Sequence, residues 1–413
     1  MRTAKVASRG ARLVGVLTLL LCAACVSTPR RPSSPVMYGP PAPVGFPSSV
    51  RYVGADRQFF VAHVDEMAAR VRSATAGGPL NILALSGGGA GGAFGAGALI
   101  GLSHAGRRPQ FAGVTGVSTG ALLAPFAYLG HDWDEQLADA FRGDRSEHLL
   151  RARGLGILFH PSVYRGQPLA DLVDHFVTNE LVTAVAKEFK TGRMLLVATT
   201  DLDKQETVIW DMGAIASQGG ESARVLFRDV LVASASIPGL FPPVLIHVAS
   251  GGTQYDEMHV DGGTTVPFFF TSEASLVVPI EFEKLRGAYV YVLMSSQLMT
   301  APQATRVTIS AILSRSFSAA LRRSSRTSLE LSAFFAQRYG MNFRFTQIPG
   351  DYPFEGPFRF RAAFMRALFD FGVACGERGL LWTDIEHSMD RNEFALTPVP
   401  LSEVKCPAEA VSR

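Results

Sequence analysis

Residues 80–92 read LNILALSGGGAGG, and residues 114–120 read VTGVSTG. In each stretch a short apolar run, typical of a buried strand, passes through glycines into a segment with helical composition. The same alternation continues along the chain, with strands predicted at 194–199, 207–210, 255–260 and 288–294 and a helix at 221–234. This alternation predicts an α/β fold, in which helices flank a mostly parallel central sheet.

The formal net charge of +3 belongs to the first 24 residues, which hold four Lys and Arg and no acid. Removing these four from the 39 Lys and Arg leaves 35, against 36 Asp and Glu. The charge balance therefore gives no indication of a nucleic-acid partner.

The start of the chain has the pattern of a secretory leader. Basic residues precede an apolar run from Leu13 to Ala24. Because spanning a bilayer takes about 20 residues, this run predicts a signal peptide over residues 1–24. The segment LCAAC at 21–25 resembles a bacterial lipoprotein cleavage box, which implies lipidation of Cys25, a lipid anchor on the membrane surface and a place in the bacterial cell envelope. A plain secreted protein and an uncleaved anchor are the alternatives.

Composition divides the rest of the chain into three parts. Residues 25–51 are rich in Pro and Ser and predict a tether. Residues 52–300 are predicted to form the catalytic α/β domain. Residues 301–413 are predicted to form a helical C-terminal extension that packs on the core. A long helical tract in the extension carries four arginines, Arg315, Arg322, Arg323 and Arg326. Such a cluster is typical of a solvated helix face, and contact with anionic lipid is the alternative.

Four cysteines are present, and only Cys375 and Cys406 would remain after cleavage at Cys25. In an oxidising compartment these two could pair, but their spacing in the sequence does not decide it. No Cys and His cluster has the spacing of a metal site, so we expect neither a metal nor another cofactor.

The stretch Gly116-Val117-Ser118-Thr119-Gly120 is a candidate nucleophile elbow. It lies between a predicted strand and a predicted helix, the context in which a G-x-S-x-G turn exposes a serine hydroxyl. The helix N-terminus would also stabilise developing negative charge. The structural alternative is a helix N-cap serine between glycines that serve only packing.

The glycine run of residues 87–92 lies between a strand and a helix, so several of its backbone N–H groups can face an anion. Gly87, Gly89 and Gly92 match a dinucleotide-binding pattern, but the acidic residue that this pattern needs about 20 positions later is absent. The other interpretation is an oxyanion hole formed by Gly87, Gly88 and Gly89.

Asp261 follows a predicted strand and precedes Gly262 and Gly263. An acid at the carboxyl end of a strand can reach a neighbouring loop, although Asp-Gly-Gly by itself is more often a simple turn.

Taken together, the glycine loop, the G-x-S-x-G elbow and Asp-Gly-Gly resemble, in this order, the patatin-like phospholipase family. The resemblance covers residues 80–280 and implies a catalytic dyad of Ser118 and Asp261 without histidine. It also implies an oxyanion hole in the loop, a three-layer α/β/α fold, and membrane phospholipids or other fatty-acyl esters as substrates. One departure is Gly91, where the family usually has a basic residue.

Two other functions remain open from the sequence. A Ser-His-Asp esterase would need a histidine after Asp261 in the chain, and His387 is that histidine. A non-catalytic lipid-binding lipoprotein would keep the fold without the chemistry. If a carboxylate is the base, we expect activity to persist below pH 6, where a histidine base loses it.

Overall fold

The computed structural model describes residues 30–32, 41–145, 149–150, 162–271, 273–276, 285–299, 304–385 and 399–409. The predicted signal peptide, Cys25, His387 and part of the predicted tether lie outside these residues.

The described strands belong to one sheet. In chain order they are β1 (Ala42–Pro43), β2 (Arg51–Val53), β3 (Asn81–Leu85), β4 (Gly113–Val117), β5 (Met194–Asp201), β6 (Glu206–Asp211), β7 (Val244–Ser250), β8 (Thr253–Asp261), β9 (Tyr289–Met294) and β10 (Asn342–Gln347).

The sheet has a parallel part and an antiparallel part. Strands β5, β4, β3, β9 and β10 are neighbours in this order and all run parallel. Strands β6 and β8 pair antiparallel with β5, and β2, β7 and β1 extend this side. The predicted α/β class with a mostly parallel centre is confirmed. The antiparallel strands extend the same sheet on one side of β5.

Helices cover both faces of the sheet. They are α1 (Arg57–Ser73), α2 (Gly92–His104), α3 (Thr119–Leu129), α4 (Asp134–Phe141), α5 (Gln167–Phe176), α6 (Asn179–Phe189), α7 (Met212–Ser217), α8 (Gly220–Ser234), α9 (Ile309–Arg338) and α10 (Ala362–Glu377).

The core consists of two apolar layers, one on each face of the sheet. Because side chains alternate along a strand, Leu83 and Leu85 of β3 belong to one layer and Ile82 and Ala84 to the other. Helices α1 and α9 contribute to the second layer, and α2 to α8 and α10 contribute to the first. The arrangement is a three-layer α/β/α fold.

The chain after residue 300 is joined to this core at several points. Strand β10 extends the parallel part beside β9. Gly97 of α2 and Gly372 of α10 let these two helices pack backbone against backbone. A disulfide between Cys375 and Cys406, with 5.4 Å between their Cα atoms, ties α10 to the last described segment.

Candidate active site

Ser118 and Asp261 meet because two strands share one edge of β5. Strand β4 runs parallel to β5 and pairs with it as far as Ala198, the partner of Val117. Strand β8 runs antiparallel and pairs with the residues that follow, so that Asp261 is opposite Thr199. The two strands therefore approach head-on with their carboxyl ends meeting. The residues at this junction are the predicted nucleophile and the predicted base.

Ser118 has the backbone of a nucleophile elbow. Its φ of 56° and ψ of −126° are rare for a residue with a side chain, and such strain is typical of functional turns. Its N–H donates to Ser234 Oγ at 3.0 Å, and that hydroxyl donates to the carbonyl of Ala198 at 2.7 Å. In the described chain its side chain does not cap α3. Ser118 is thus the N-cap residue of α3 by position, while its hydroxyl is directed to Asp261.

The side chain of Ser118 bonds directly to Asp261. Its Oγ donates to Asp261 Oδ2 at 2.6 Å, and the N–H of Gly263 donates to Oδ1 at 2.7 Å. Burial raises the pKa of Asp261 to about 7, although the hydrogen bonds from Ser118 and Gly263 oppose the shift. A carboxylate with this pKa is a stronger base than an exposed one, and it begins to gain a proton at neutral pH.

The glycine loop lies beside Ser118, and its N–H groups differ in their partners. The N–H of Gly87 donates to the carbonyl of Pro267 at 3.3 Å. Within the described residues, no hydrogen bond from the N–H of Gly88 or Gly89 to a protein acceptor is found, and both residues line a cavity with Ser118. Gly88 and Gly89 are therefore the candidate oxyanion donors. A Cβ on Gly87 would lie 2.9 Å from that of Ser118, so Gly87 gives the serine room.

The other predicted glycines of the site allow close packing around these groups. A Cβ would lie less than 3.0 Å from a neighbouring atom at Gly92, Gly116, Gly120 and Gly262. At Gly263 it would lie 3.0 Å from Asp261 Oδ1, which is a tight contact.

Close packing against a neighbouring backbone explains why position 91 is a glycine. A Cβ there would overlap the carbonyl oxygen of Ser295, which follows β9 directly, and the same oxygen would block a Cβ on Gly88. The loop therefore packs against the end of β9 through its glycines. A basic side chain at position 91 could not be accommodated without moving this contact.

Two cavities meet at Ser118 and Gly89. The first, about 80 Å³, is almost entirely apolar and is lined among others by Leu122, Phe126 and Phe176. The second, about 660 Å³, is lined by the glycine loop, Asp261, one face of α9 and the segment 352–358. If the carbonyl of an ester lies at Ser118, the two ends of that ester can therefore extend into different cavities, one apolar and one more polar.

No histidine of the described chain lies where it could form a triad with Ser118 and Asp261. His259 is fully buried, and its ring nitrogens contact Thr199 Oγ1 at 2.9 Å and Glu257 Oε2 at 3.3 Å. Burial lowers its pKa, despite the hydrogen bond with Glu257. Of the described histidines, none lines either cavity. Among the described residues, no cluster of His, Cys, Asp and Glu could hold a metal ion.

Residues 83–271 match the family of patatin-like phospholipases. The matched span contains the glycine loop, Ser118 and Asp261. The chain therefore carries a domain of the patatin-like phospholipase family.

Two solved structures are similar over much of the chain. VipD from Legionella pneumophila is 13% identical, with 73% of this chain and 67% of that chain covered and a TM-score of 0.30. Human GIVD cytosolic phospholipase A2 is also 13% identical, with 61% and 49% covered and a TM-score of 0.30. The chain thus spans about half of the human enzyme. No curated protein matches the sequence.

Proposed function

We propose that the protein hydrolyses carboxylic esters of lipids, with Ser118 as nucleophile and Asp261 as general base. The observation that carries the proposal is the 2.6 Å hydrogen bond from Ser118 Oγ to a buried carboxylate. A serine hydroxyl is a weak nucleophile unless a base takes its proton, and Asp261 is in position to do so. The patatin-like domain supports a lipid ester as the substrate.

The reaction has two steps in this proposal. Ser118 Oγ attacks the ester carbonyl and gives its proton to Asp261, while the N–H groups of Gly88 and Gly89 hold the oxyanion. Asp261 then gives this proton to the departing alcohol, which leaves an acyl group on Ser118. Asp261 next takes a proton from a water molecule as the water oxygen attacks the acyl carbonyl. It returns this proton to Ser118 Oγ as the C–Oγ bond breaks, which releases the fatty acid and restores the free enzyme. The apolar cavity beside Ser118 suits the acyl chain.

Labelling with a fluorophosphonate probe tests this proposal. Wild-type protein should be labelled once, at Ser118, as identified by mass spectrometry of the digested protein. Ser118→Ala should neither be labelled nor release fatty acid from a short-chain ester, while its melting curve stays cooperative. Labelling at another residue, or wild-type protein that binds lipid without hydrolysing any ester, would refute the enzyme and favour the non-catalytic lipid-binding alternative.

For localisation we propose a lipoprotein of the bacterial cell envelope, anchored through Cys25. The basic and apolar leader supports this, and the Cys375–Cys406 disulfide suits an oxidising compartment. In the described part of the chain, no helix has the length and apolarity to cross a membrane. Mass spectrometry of the mature N-terminus should find acylated Cys25, and an unmodified start downstream of it would contradict the anchor.

A further inference from the structure

One wall of the larger cavity is a stripe on helix α9. Arg315, Ser318, Arg322 and Ser325 all line the cavity. Their spacing of three, four and three residues places them on one helical face. Two guanidinium groups therefore share a cavity with Ser118, on a helix that lies outside the matched patatin-like span.

The position of this stripe relates it to one part of the substrate. An ester bound at Ser118 has an acyl end and an alcohol end. The acyl chain suits the apolar cavity, which has almost no polar lining. The alcohol end then lies in the larger cavity, which the glycine loop and α9 both line.

The charge of the larger cavity favours an anion. Besides the two arginines, its charged lining residues in the described chain are Asp261 and Glu355. Glu355 forms an ion pair with Arg361, which offsets its charge. Burial, together with the neighbouring charges of Arg315 and Arg326, lowers the pKa of Arg322. Each guanidinium group carries five N–H donors, so an anion in the cavity can bind beside the other contacts of these side chains.

The loop itself supplies no cation, because Gly91 is packed against Ser295. Among the described lining residues, positive charge therefore comes from α9. Guanidinium groups bind phosphate oxygens through paired hydrogen bonds, so a phosphate is the anion that this wall suits best.

We propose that Arg315 and Arg322 form an anion subsite that selects esters by the charge of their alcohol part. Substrates with a net negative alcohol part, such as a phosphomonoester, are preferred over zwitterionic or neutral ones. This inference rests on the proposed function, because it assumes that the ester carbonyl lies at Ser118.

Lysophosphatidate and lysophosphatidylcholine with the same acyl chain, both kept below their micelle-forming concentrations, test the subsite. The wild-type protein should have a kcat/KM roughly tenfold or more in favour of lysophosphatidate. Arg322→Gln and Arg315→Gln should each reduce this ratio severalfold, mainly through KM. Arg323→Gln is the matched control, because Arg323 is an exposed arginine of the same helix that does not line the cavity. It should leave the ratio within about twofold.

A wild-type ratio near one would overturn the inference, and so would a loss with Arg323→Gln equal to that with Arg322→Gln. A ratio near one combined with saturable binding of inorganic phosphate, weakened by Arg322→Gln, would assign the arginines to free phosphate instead of substrate.

If wild-type protein hydrolyses neither lipid, the proposed function fails while the subsite can still be measured. Calorimetric titration with an ether analogue of lysophosphatidate should then give binding that Arg322→Gln weakens and Arg323→Gln does not. Equal affinities in the two variants would refute the subsite.

Discussion

Two buried carboxylates lie four residues apart on β8 and differ in their pKa. Asp261 is 4% exposed and Glu257 is 0% exposed. Burial by itself raises the pKa of a carboxyl group, and it raises that of Asp261 to about 7. The pKa of Glu257 is instead far below its usual range, because its neighbours outweigh the effect of burial.

The neighbours of Glu257 are cations and a histidine. Arg51 Nη1 lies 2.5 Å from Oε2, Lys204 Nζ lies 2.7 Å from Oε1, and His259 Nε2 lies 3.3 Å from Oε2. These partners join β8 to the first residue of β2 and to the turn after β5. Glu257 is therefore held as an anion and serves the fold.

The polar neighbours of the Asp261 carboxylate are a hydroxyl and a backbone N–H, from Ser118 and Gly263. In the described chain, no ion pair joins it to a cation. A buried carboxylate surrounded by cations therefore stays ionised and stabilises structure. One without cations keeps a high proton affinity, which a general base needs.

The largest expected effect is on stability, at Glu257. Glu257→Gln keeps the shape but leaves Arg51 buried without its anion. Breaking a buried pair in this way costs about 3–5 kcal/mol, so the urea midpoint should fall sharply. Glu221→Gln, which removes an exposed partner of Arg224, is the control and should leave the midpoint nearly unchanged. Equal midpoints for the two variants would contradict the structural role of Glu257.

Asp261→Asn should have the opposite effect on stability. Because the folded-state pKa of Asp261 is raised from 3.8 to about 7, its contribution to stability is present at pH 4 and is lost as the pH rises through 7. Removing the charge should therefore stabilise the protein at pH 8, by about 1–3 kcal/mol. Urea unfolding at pH 5 and pH 8 measures this, since the gain should shrink at the lower pH. A gain of equal size at both values would show that the charge is not its source.

The effect of pH on the rate of hydrolysis is expected to be smaller than these effects on stability. The raised pKa of Asp261 means that the base is protonated, and inactive, below about pH 7. The kcat/KM of the wild-type protein should therefore fall about tenfold for each pH unit below 7. This corrects the sequence-based expectation that activity persists below pH 6, which assumed a carboxylate with an ordinary pKa. A flat profile between pH 5 and 8 would contradict a base whose pKa is raised by burial.

Local sequence signals were sufficient for most of the fold. The strand ending before Ser118 and the one ending at Asp261 are predicted from short apolar runs and the glycines that follow them. The hairpin of β7 and β8 was missed, although Gly251 and Gly252 form the two-residue Gly-Gly turn that signals such a hairpin. Strands β1 and β2 and helices α4 to α7 were not predicted either. Strand direction could not be predicted, because apolar periodicity does not encode it.

The sequence predicts which residues form the candidate site, but not how they are arranged or what surrounds them. The order of the motifs along the chain was sufficient to identify Ser118 and Asp261 as candidate catalytic residues. Their meeting depends on the register of β4 and β8 along β5, a long-range property. The placement of Arg315 and Arg322 in the cavity also depends on tertiary packing, and the sequence favoured a solvated helix face for them.

The activities of Asp261→Asn and His387→Ala distinguish a Ser118–Asp261 dyad from a triad. The kcat/KM for a short-chain ester should fall at least about a hundredfold in Asp261→Asn, the low end for loss of a general base. His387→Ala should change it by less than about threefold, because a dyad needs no histidine. A loss in His387→Ala as large as that in Asp261→Asn would contradict the dyad and favour a Ser-His-Asp triad.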